Sequence, residues 1–181
     1  MNDTALLLTR AYDFAARMHA GQRRKGADAQ PYINHLCEVA GLLSESCGGR
    51  DGVLIAGGVL HDTIEDTGVS HAELAAAFGS EIADLVREVS DDKSLPKLER
   101  KRLQIVHAAD CSPRARLLKI ADKTSNVRSL TASPPADWPT ARCREYVEWS
   151  EAVVAACRGL DDWLEARFDE AVASTRAGFF A

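Results

Sequence analysis

The sequence predicts an all-α fold, and three observations carry that prediction. Apolar residues recur at helical spacing in segment after segment, capping residues and prolines stand where helices would start, and there is almost no strand signal. The 181 residues, 46% apolar and 27% charged, have the usual size of one domain with a real core, so residues 1–181 are expected to form a single domain.

Asp3 or Thr4 can cap a first helix whose apolar face is Leu6, Leu7, Ala11, Phe14, Ala15 and Met18, ended by Gly21. The polar, basic stretch GQRRKGADAQP reads as a loop before a second helix from about Tyr32 to Ser46, which Gly48 and Gly49 break. Asp51 opens VLIAGGVLHD, a strand by composition alone, but its small residues and helical surroundings favour a buried helix that ends in a His-Asp pair. Ser70 and Glu73 form a capping box for HAELAAAF, and EIADLVREV continues after Gly79 and Ser80. Pro96 suits the first turn of a helix through KLERKRLQIVHAA, and Pro113 the first turn of RARLLKIADKTSNVRSL. After the SPPADWP punctuation, two last helices are expected, near 140–158 and 160–177.

Composition narrows the function. The start of the chain has no basic leader before an apolar core, and no apolar stretch approaches the length of a bilayer span, so a cytoplasmic protein is expected. Five cysteines, widely spaced and in no CxxC pair, argue against a disulfide framework or a thiolate zinc site. A net charge of −5 offers no broad attraction for nucleic acid or an anionic membrane, so a polyanionic substrate must meet locally clustered cations.

Three segments carry the chemistry. His61-Asp62 follows the buried apolar run, and Glu65-Asp66 comes one turn later; in a continuous helix His61 with Glu65 and Asp62 with Asp66 are i,i+4 neighbours. Carboxylates packed this closely repel one another unless a cation sits among them, although EDTG alone also reads as a solvated acidic turn. Asp122 ends the apolar stretch RLLKIAD, where a carboxylate needs a partner, and Asn126 lies one turn on. His35, in YINHLCEVAGLL, would by itself pass for a satisfied core histidine. Together, His35, His61, Asp62 and Asp122 make a nitrogen and oxygen donor set suited to Mn²⁺, Fe²⁺, Co²⁺ or Zn²⁺. His19, His71 and His107 show no comparable constellation and are read as structural. One metal is therefore favoured over two.

The order His35, His61-Asp62, Asp122 matches the H…HD…D pattern of the HD superfamily. RRKGADAQPYINH, VLHDTIEDTGVS, DDKSLPKLERKR and ADKTSNVRSL further resemble the hydrolase domain of RelA/SpoT proteins, in particular the small alarmone hydrolases similar to the metazoan SpoT homologue. The resemblance implies an all-α, single-domain HD-type helical bundle that uses one divalent metal, Mn²⁺. Its implied reaction removes the 3′-pyrophosphate of guanosine 3′,5′-bis(diphosphate) and its pentaphosphate relative, leaving GDP or GTP. It makes His35, His61, Asp62 and Asp122 the metal ligands and Glu65 and Asp66 the catalytic acidic pair. It also makes Arg24, Lys25, Lys97, Asn126 and Tyr146 substrate contacts, with Arg100, Lys123 and Arg128 as further phosphate-binding candidates. Two departures stand out: Leu36 follows the first histidine where the family often has proline, and Thr124-Ser125 replaces a bulky pair.

Three functions are thus open to this sequence. The first is alarmone hydrolysis, and the second is phosphatase action at the same site on another ribose-phosphorylated nucleotide such as NADPH. The third is an inert nucleotide-binding regulator, whose mark would be a missing ligand or acid; no such loss is seen.

Overall fold

The structure, a computed structural model, describes residues 3–179, with side chains from 4 to 178. The capping role expected of Asp3 lies outside those side chains. Among the described residues there are ten α-helices and no strand. They are α1 (Asp3–Met18), α2 (Ile33–Ser46), α3 (Gly52–Leu60), α4 (Thr63–Thr67) and α5 (His71–Phe78), then α6 (Ser80–Val89), α7 (Lys97–His107), α8 (Pro113–Ala132), α9 (Thr140–Ala155) and α10 (Asp162–Phe179).

The starts of these helices follow local chemistry. The Asp51 carboxylate accepts from the Leu54 amide at 3.0 Å to cap α3. Ser70 and Glu73 form the expected reciprocal capping box at α5. Ser112 accepts from the Ala115 amide to cap α8, with Pro113 at its first turn. Pro96 sits one place earlier than expected, as the residue before α7, and a 3-10 turn over Ala108–Asp110 takes up the end of that helix.

α3 is the central strut, packed among α1, α2, α6 and α8 and buried from Leu54 through Leu60. Its paired glycines make that possible. A Cβ on Gly57 would lie 2.5 Å from a Leu85 methyl, and one on Gly58 would lie 2.7 Å from a Leu43 methyl. Two apolar clusters flank it: Leu36, Leu60, Leu74 and Val86 on one side, and Leu118, Ile120, Leu164 and Phe168, around α8 and α10, on the other. Together they fix the C-terminal end of α3 against the middle of α8, where the chemistry converges.

The buried helix ends at the His-Asp pair, as expected, and the His61-Asp62-Thr-Ile-Glu65-Asp66 segment is a turn followed by a short helix. It is not a continuous helix: α3 stops at Leu60, His61 and Asp62 form a turn, and α4 begins at Thr63. The His61 Nδ1 bonds at 2.9 Å to the Gly58 carbonyl, the acceptor that a continuing helix would offer to the Asp62 amide. Helical spacing survives nonetheless, because the Asp66 amide still donates to the Asp62 carbonyl at 2.8 Å.

The basic loop before α2 is also more ordered than its composition suggests. Arg23 and Pro31 form an antiparallel bridge, and the Arg24 amide donates to the Gln30 carbonyl at 2.9 Å. The tip is tied to the end of α8 by Ala27 N donating to the Pro134 carbonyl and Asp28 N donating to the Ser133 hydroxyl. Gly26 permits this approach, since a Cβ there would stand 2.3 Å from the Ser133 carbonyl oxygen.

Candidate metal centre and substrate cleft

Helices α2 and α8 and the turn after α3 bring two imidazoles and two carboxylates into one neighbourhood. His35 Nε2 lies 3.2 Å from Asp122 Oδ1 and 3.8 Å from Asp62 Oδ2. His61 Nε2 lies 3.1 Å from Asp62 Oδ2 and 3.8 Å from Asp122 Oδ1. His35, His61 and Asp62 place their donor atoms within 4.8 Å of one another; Asp122 stands outside that group of three and adjoins it only through the two histidines.

The protonation pattern suits a cation. His61 Nδ1 faces a carbonyl, which can only accept, so Nδ1 carries a proton and Nε2 is turned inward. That Nε2 is buried and has no hydrogen-bond partner despite its nearness to Asp62. Burial works against a charged His61, yet the Asp62 and Asp122 carboxylates outweigh it and hold its pKa well above the ordinary value. Burial lowers that of His35. Burial likewise opposes ionisation of Asp62, but the His61 imidazole prevails and keeps it well below the carboxylate range. The Lys123 ammonium does the same for Asp122, at 2.8 Å from Oδ2. Donors of one metal held at roughly 2.0–2.2 Å stand about 3–3.6 Å apart, and an orphaned inward imidazole nitrogen beside two ionised carboxylates is what such a metal requires. The residues present fit a divalent ion.

Next to this ring stand the two acids. Glu65 Oε2 accepts from the Asp91 amide at 2.9 Å, and Arg100 lies 3.7 Å from Oε1. Burial first, then the neighbouring carboxylates of Asp91, Asp62 and Asp66, push the Glu65 pKa up to about 7. Asp66 is held differently, by Lys93 on Oδ1 and by the Gln22 amide nitrogen at 2.9 Å on Oδ2. The two acids thus differ in setting: Glu65 is held with a pKa near neutrality, and Asp66 is paired on both oxygens.

A cleft of about 690 Å³ opens beyond the ring. Arg24, Lys25, Asn126 and Tyr146 all line it, as do Arg100, Arg128 and the acids Glu65 and Asp66. Arg24 donates to Asn126 Oδ1 at 3.0 Å while the Asn126 amide nitrogen donates to Asp122 Oδ1 at 2.6 Å, so one asparagine links the guanidinium to the ring. Lys123 sits instead in a smaller polar cavity of about 130 Å³, which it shares with His61, Asp62 and Asp122. Lys97 lines neither cavity. It is exposed, and burial together with the nearby charges of Arg142, Lys25 and Arg100 lowers its pKa. Of the histidines read as structural, His71 pairs with Asp84 on the surface, whereas His19 stacks on Tyr32 and bonds Gln22, placing it behind the site.

Several side chains around the site escaped the sequence reading. Tyr32 donates to Asp62 Oδ2 at 2.6 Å, Lys93 pairs with Asp66, and Ser125 and Glu38 stand behind His35. Tyr32 left a trace three residues before His35 at the start of the same helix, and Ser125 left one as part of the pair that departs from the family pattern. Lys93 is hidden in an acidic turn, and the other pairings join residues more than 80 apart.

Comparison with known proteins agrees with this geometry. The model of the HD domain family matches residues 11–146. The chain is 44% identical to the guanosine-3′,5′-bis(diphosphate) 3′-pyrophosphohydrolase MESH1 of Xenopus tropicalis, over 93% of this chain and 94% of that one. It is 46% identical to the human protein of the same name, over 91% and 92% of the two chains. Among solved structures it superposes with a TM-score of 0.89 and 40% identity, over 93% and 94% of the chains, on a metazoan ortholog of SpoT described as hydrolysing ppGpp.

Proposed function

We propose, because the chain belongs to the HD domain family, that it is a metal-dependent (p)ppGpp 3′-pyrophosphohydrolase of the stringent-response type. It converts guanosine 3′,5′-bis(diphosphate) or the pentaphosphate to GDP or GTP and pyrophosphate. The observation that carries this reading is the four-donor ring with its orphaned His61 Nε2, opening onto a cation-lined cleft beside an acid of pKa about 7. Relatives that share nine-tenths of their length with the chain bear the name of that activity. No described helix is long and apolar enough to cross a membrane, and a cytoplasmic setting fits the nucleotide substrate.

In this reading His35, His61, Asp62 and Asp122 hold one Mn²⁺. The bound ion supplies Lewis-acid charge and a lowered water pKa. Arg24, steadied by Asn126, grips a phosphate in a bidentate manner, and Lys25 and Arg100 add positive charge along the cleft. Lys97 contributes only from the rim. Tyr146, half-buried at the cleft wall with its phenol pKa pushed up to about 12 by desolvation, stays protonated and offers a donor to the nucleoside end. Glu65 accepts a proton from the attacking water. The water oxygen bonds to the phosphorus attached to the ribose 3′ oxygen, that O–P bond breaks, the 3′ oxygen takes up a proton, and pyrophosphate leaves. Asp66, fixed by Lys93 and Gln22, orients the water.

The test is release of pyrophosphate from guanosine tetraphosphate by metal-stripped protein with Mn²⁺ restored, alongside Asp62→Ala and Glu65→Ala. Mn²⁺-dependent release of GDP and pyrophosphate, lost in both variants, is the expected result. Turnover that survives both substitutions, or orthophosphate release from NADPH with none from the alarmone, overturns the assignment.

A further inference from the structure

Behind the metal ring, on the side away from Asp62, a second set of polar groups joins α2 to α8. His35 Nδ1 lies 2.8 Å from the Ser125 hydroxyl oxygen, and that hydroxyl donates to Glu38 Oε2 at 2.7 Å. Glu38 Oε1 in turn accepts from Arg128 at 3.2 Å. His35 and Glu38 are three residues apart on α2, as are Ser125 and Arg128 on α8, so the four side chains interleave between the two helices. Ser125 is wholly buried, and His35 is 3% exposed.

We infer that Ser125 and Glu38 are positioning residues that keep the proton of His35 on Nδ1 and leave its Nε2 lone pair facing the metal. The inference rests on the metal site proposed above. A hydroxyl has one proton, and a carboxylate can only accept. With that proton committed to Glu38, the Ser125 oxygen presents lone pairs to His35, and a 2.8 Å contact is favourable only if Nδ1 bears hydrogen. A histidine proton on Nε2 would instead point at Asp122 Oδ1, 3.2 Å away, and exclude a cation. His61 reaches the same tautomer through a backbone carbonyl that no side-chain replacement alters; His35 depends on two side chains. The exposed Glu38–Arg128 pair adds little energy by itself, so Ser125 and Glu38 carry the effect. Ser125 belongs to the pair that replaces bulky residues in the resembled family, which makes this relay a feature of the present chain rather than of its pattern.

Loss of a partner behind a ligating histidine typically costs 10–100-fold in metal affinity. The experiment records long-range ¹H–¹⁵N spectra of the imidazoles in metal-free protein at pH 8 and titrates Mn²⁺ into wild type, Ser125→Ala, Glu38→Gln and Ser125→Thr. Expected are a His35 proton on Nδ1 in wild type and an Nε2–H form admitted in Ser125→Ala and Glu38→Gln. Mn²⁺ binding in those two variants should be about 10-fold weaker or worse, and Ser125→Thr, which keeps the hydroxyl, should recover most of it. Glu38→Gln changes a partly exposed residue and keeps the fold testable if Ser125→Ala does not. His35 protonated only on Nε2 in wild type, or Mn²⁺ affinity within twofold of wild type in both variants, overturns the relay. Failure of the metal site itself is distinguishable, as wild type would then bind no Mn²⁺ whatever the tautomer.

Discussion

The Tyr32 phenol donates at 2.6 Å to Asp62 Oδ2, the carboxylate oxygen that also lies 3.1 Å from His61 Nε2. The ring that carries this hydroxyl is stacked on His19 at 5.2 Å and set edge-on to His35, so packing fixes where the donor points. Burial, reinforced by the Asp62 charge, raises the phenol pKa far above its ordinary value, and Tyr32 remains a donor at every working pH. Tyr32→Phe keeps the stack and removes the bond. We expect Mn²⁺ affinity or kcat to fall about 10-fold with little change in Tm; if Mn²⁺ titration and kcat both stay within twofold of wild type, Tyr32 does not position Asp62.

The raised Glu65 pKa has two consequences of opposite sign. In the proposed mechanism the base is the ionised carboxylate, so kcat should climb as pH rises through about 7, and the limb should vanish in the residual activity of Glu65→Gln. Stability runs the other way. The folded state holds this proton up to about pH 7, while the unfolded chain releases it near the ordinary glutamate value, so the group's stabilising contribution is full at low pH and is lost between roughly pH 4.5 and 7. Metal-free Glu65→Gln should therefore gain on wild type by on the order of 2 kcal/mol between pH 5 and pH 8. Parallel melting curves that do not diverge over that range would contradict the assignment.

Gly26 sets the height of the basic loop over the cleft. Gly26→Ala places a methyl 2.3 Å from the Ser133 carbonyl oxygen, a backbone atom that cannot swing aside, so the loop must lift and take Arg24 and Lys25 with it. KM for the alarmone should rise about 10-fold while kcat and Tm change far less, since the loop is mostly exposed and an ångström of misplacement weakens a phosphate clamp. A Tm loss with KM unaltered would mean that the loop serves packing alone.

What the sequence made legible, and what it hid, divides by distance along the chain. Asp51, Ser70 with Glu73, and Ser112 with Pro113 announce helix starts because a cap is a contact across three residues. His61-Asp62 and Asp122 were visible through residue type, since they end apolar runs, whereas His35 stood out only in combination with them. Hidden were contacts made by packing: Gln22 on Asp66 across 44 residues, Ser125 on Glu38 across 87, and Tyr32 on Asp62 across 30. The basic helix shows the same limit at finer scale. KLERKR marked cations near substrate, but only the fold turns Arg100 into the cleft and leaves Lys97 exposed outside its lining. The end of α3 at the His-Asp pair was legible, but the ring nitrogen bonding to the Gly58 carbonyl that accompanies it has no signature in hydrophobic periodicity.

Metal removal should register on the whole fold, because the four proposed ligands come from α2, the turn after α3 and α8. Without a cation the ring must hold two carboxylates together by protonating His61, which is what raises that imidazole's pKa. A ligand that binds only the native state adds about 2.7 kcal/mol at 100 times its Kd. For a chain of this size each kcal/mol moves Tm by roughly 2–4 °C, so saturating Mn²⁺ should raise Tm by about 5–10 °C over protein in EDTA. Asp122→Asn keeps the shape but removes one charge and the counterion of buried Lys123, so the Mn²⁺-dependent rise should shrink to below about 2 °C. Calorimetry of both proteins with and without Mn²⁺ decides the matter: an undiminished rise in Asp122→Asn would place the stabilising ion elsewhere.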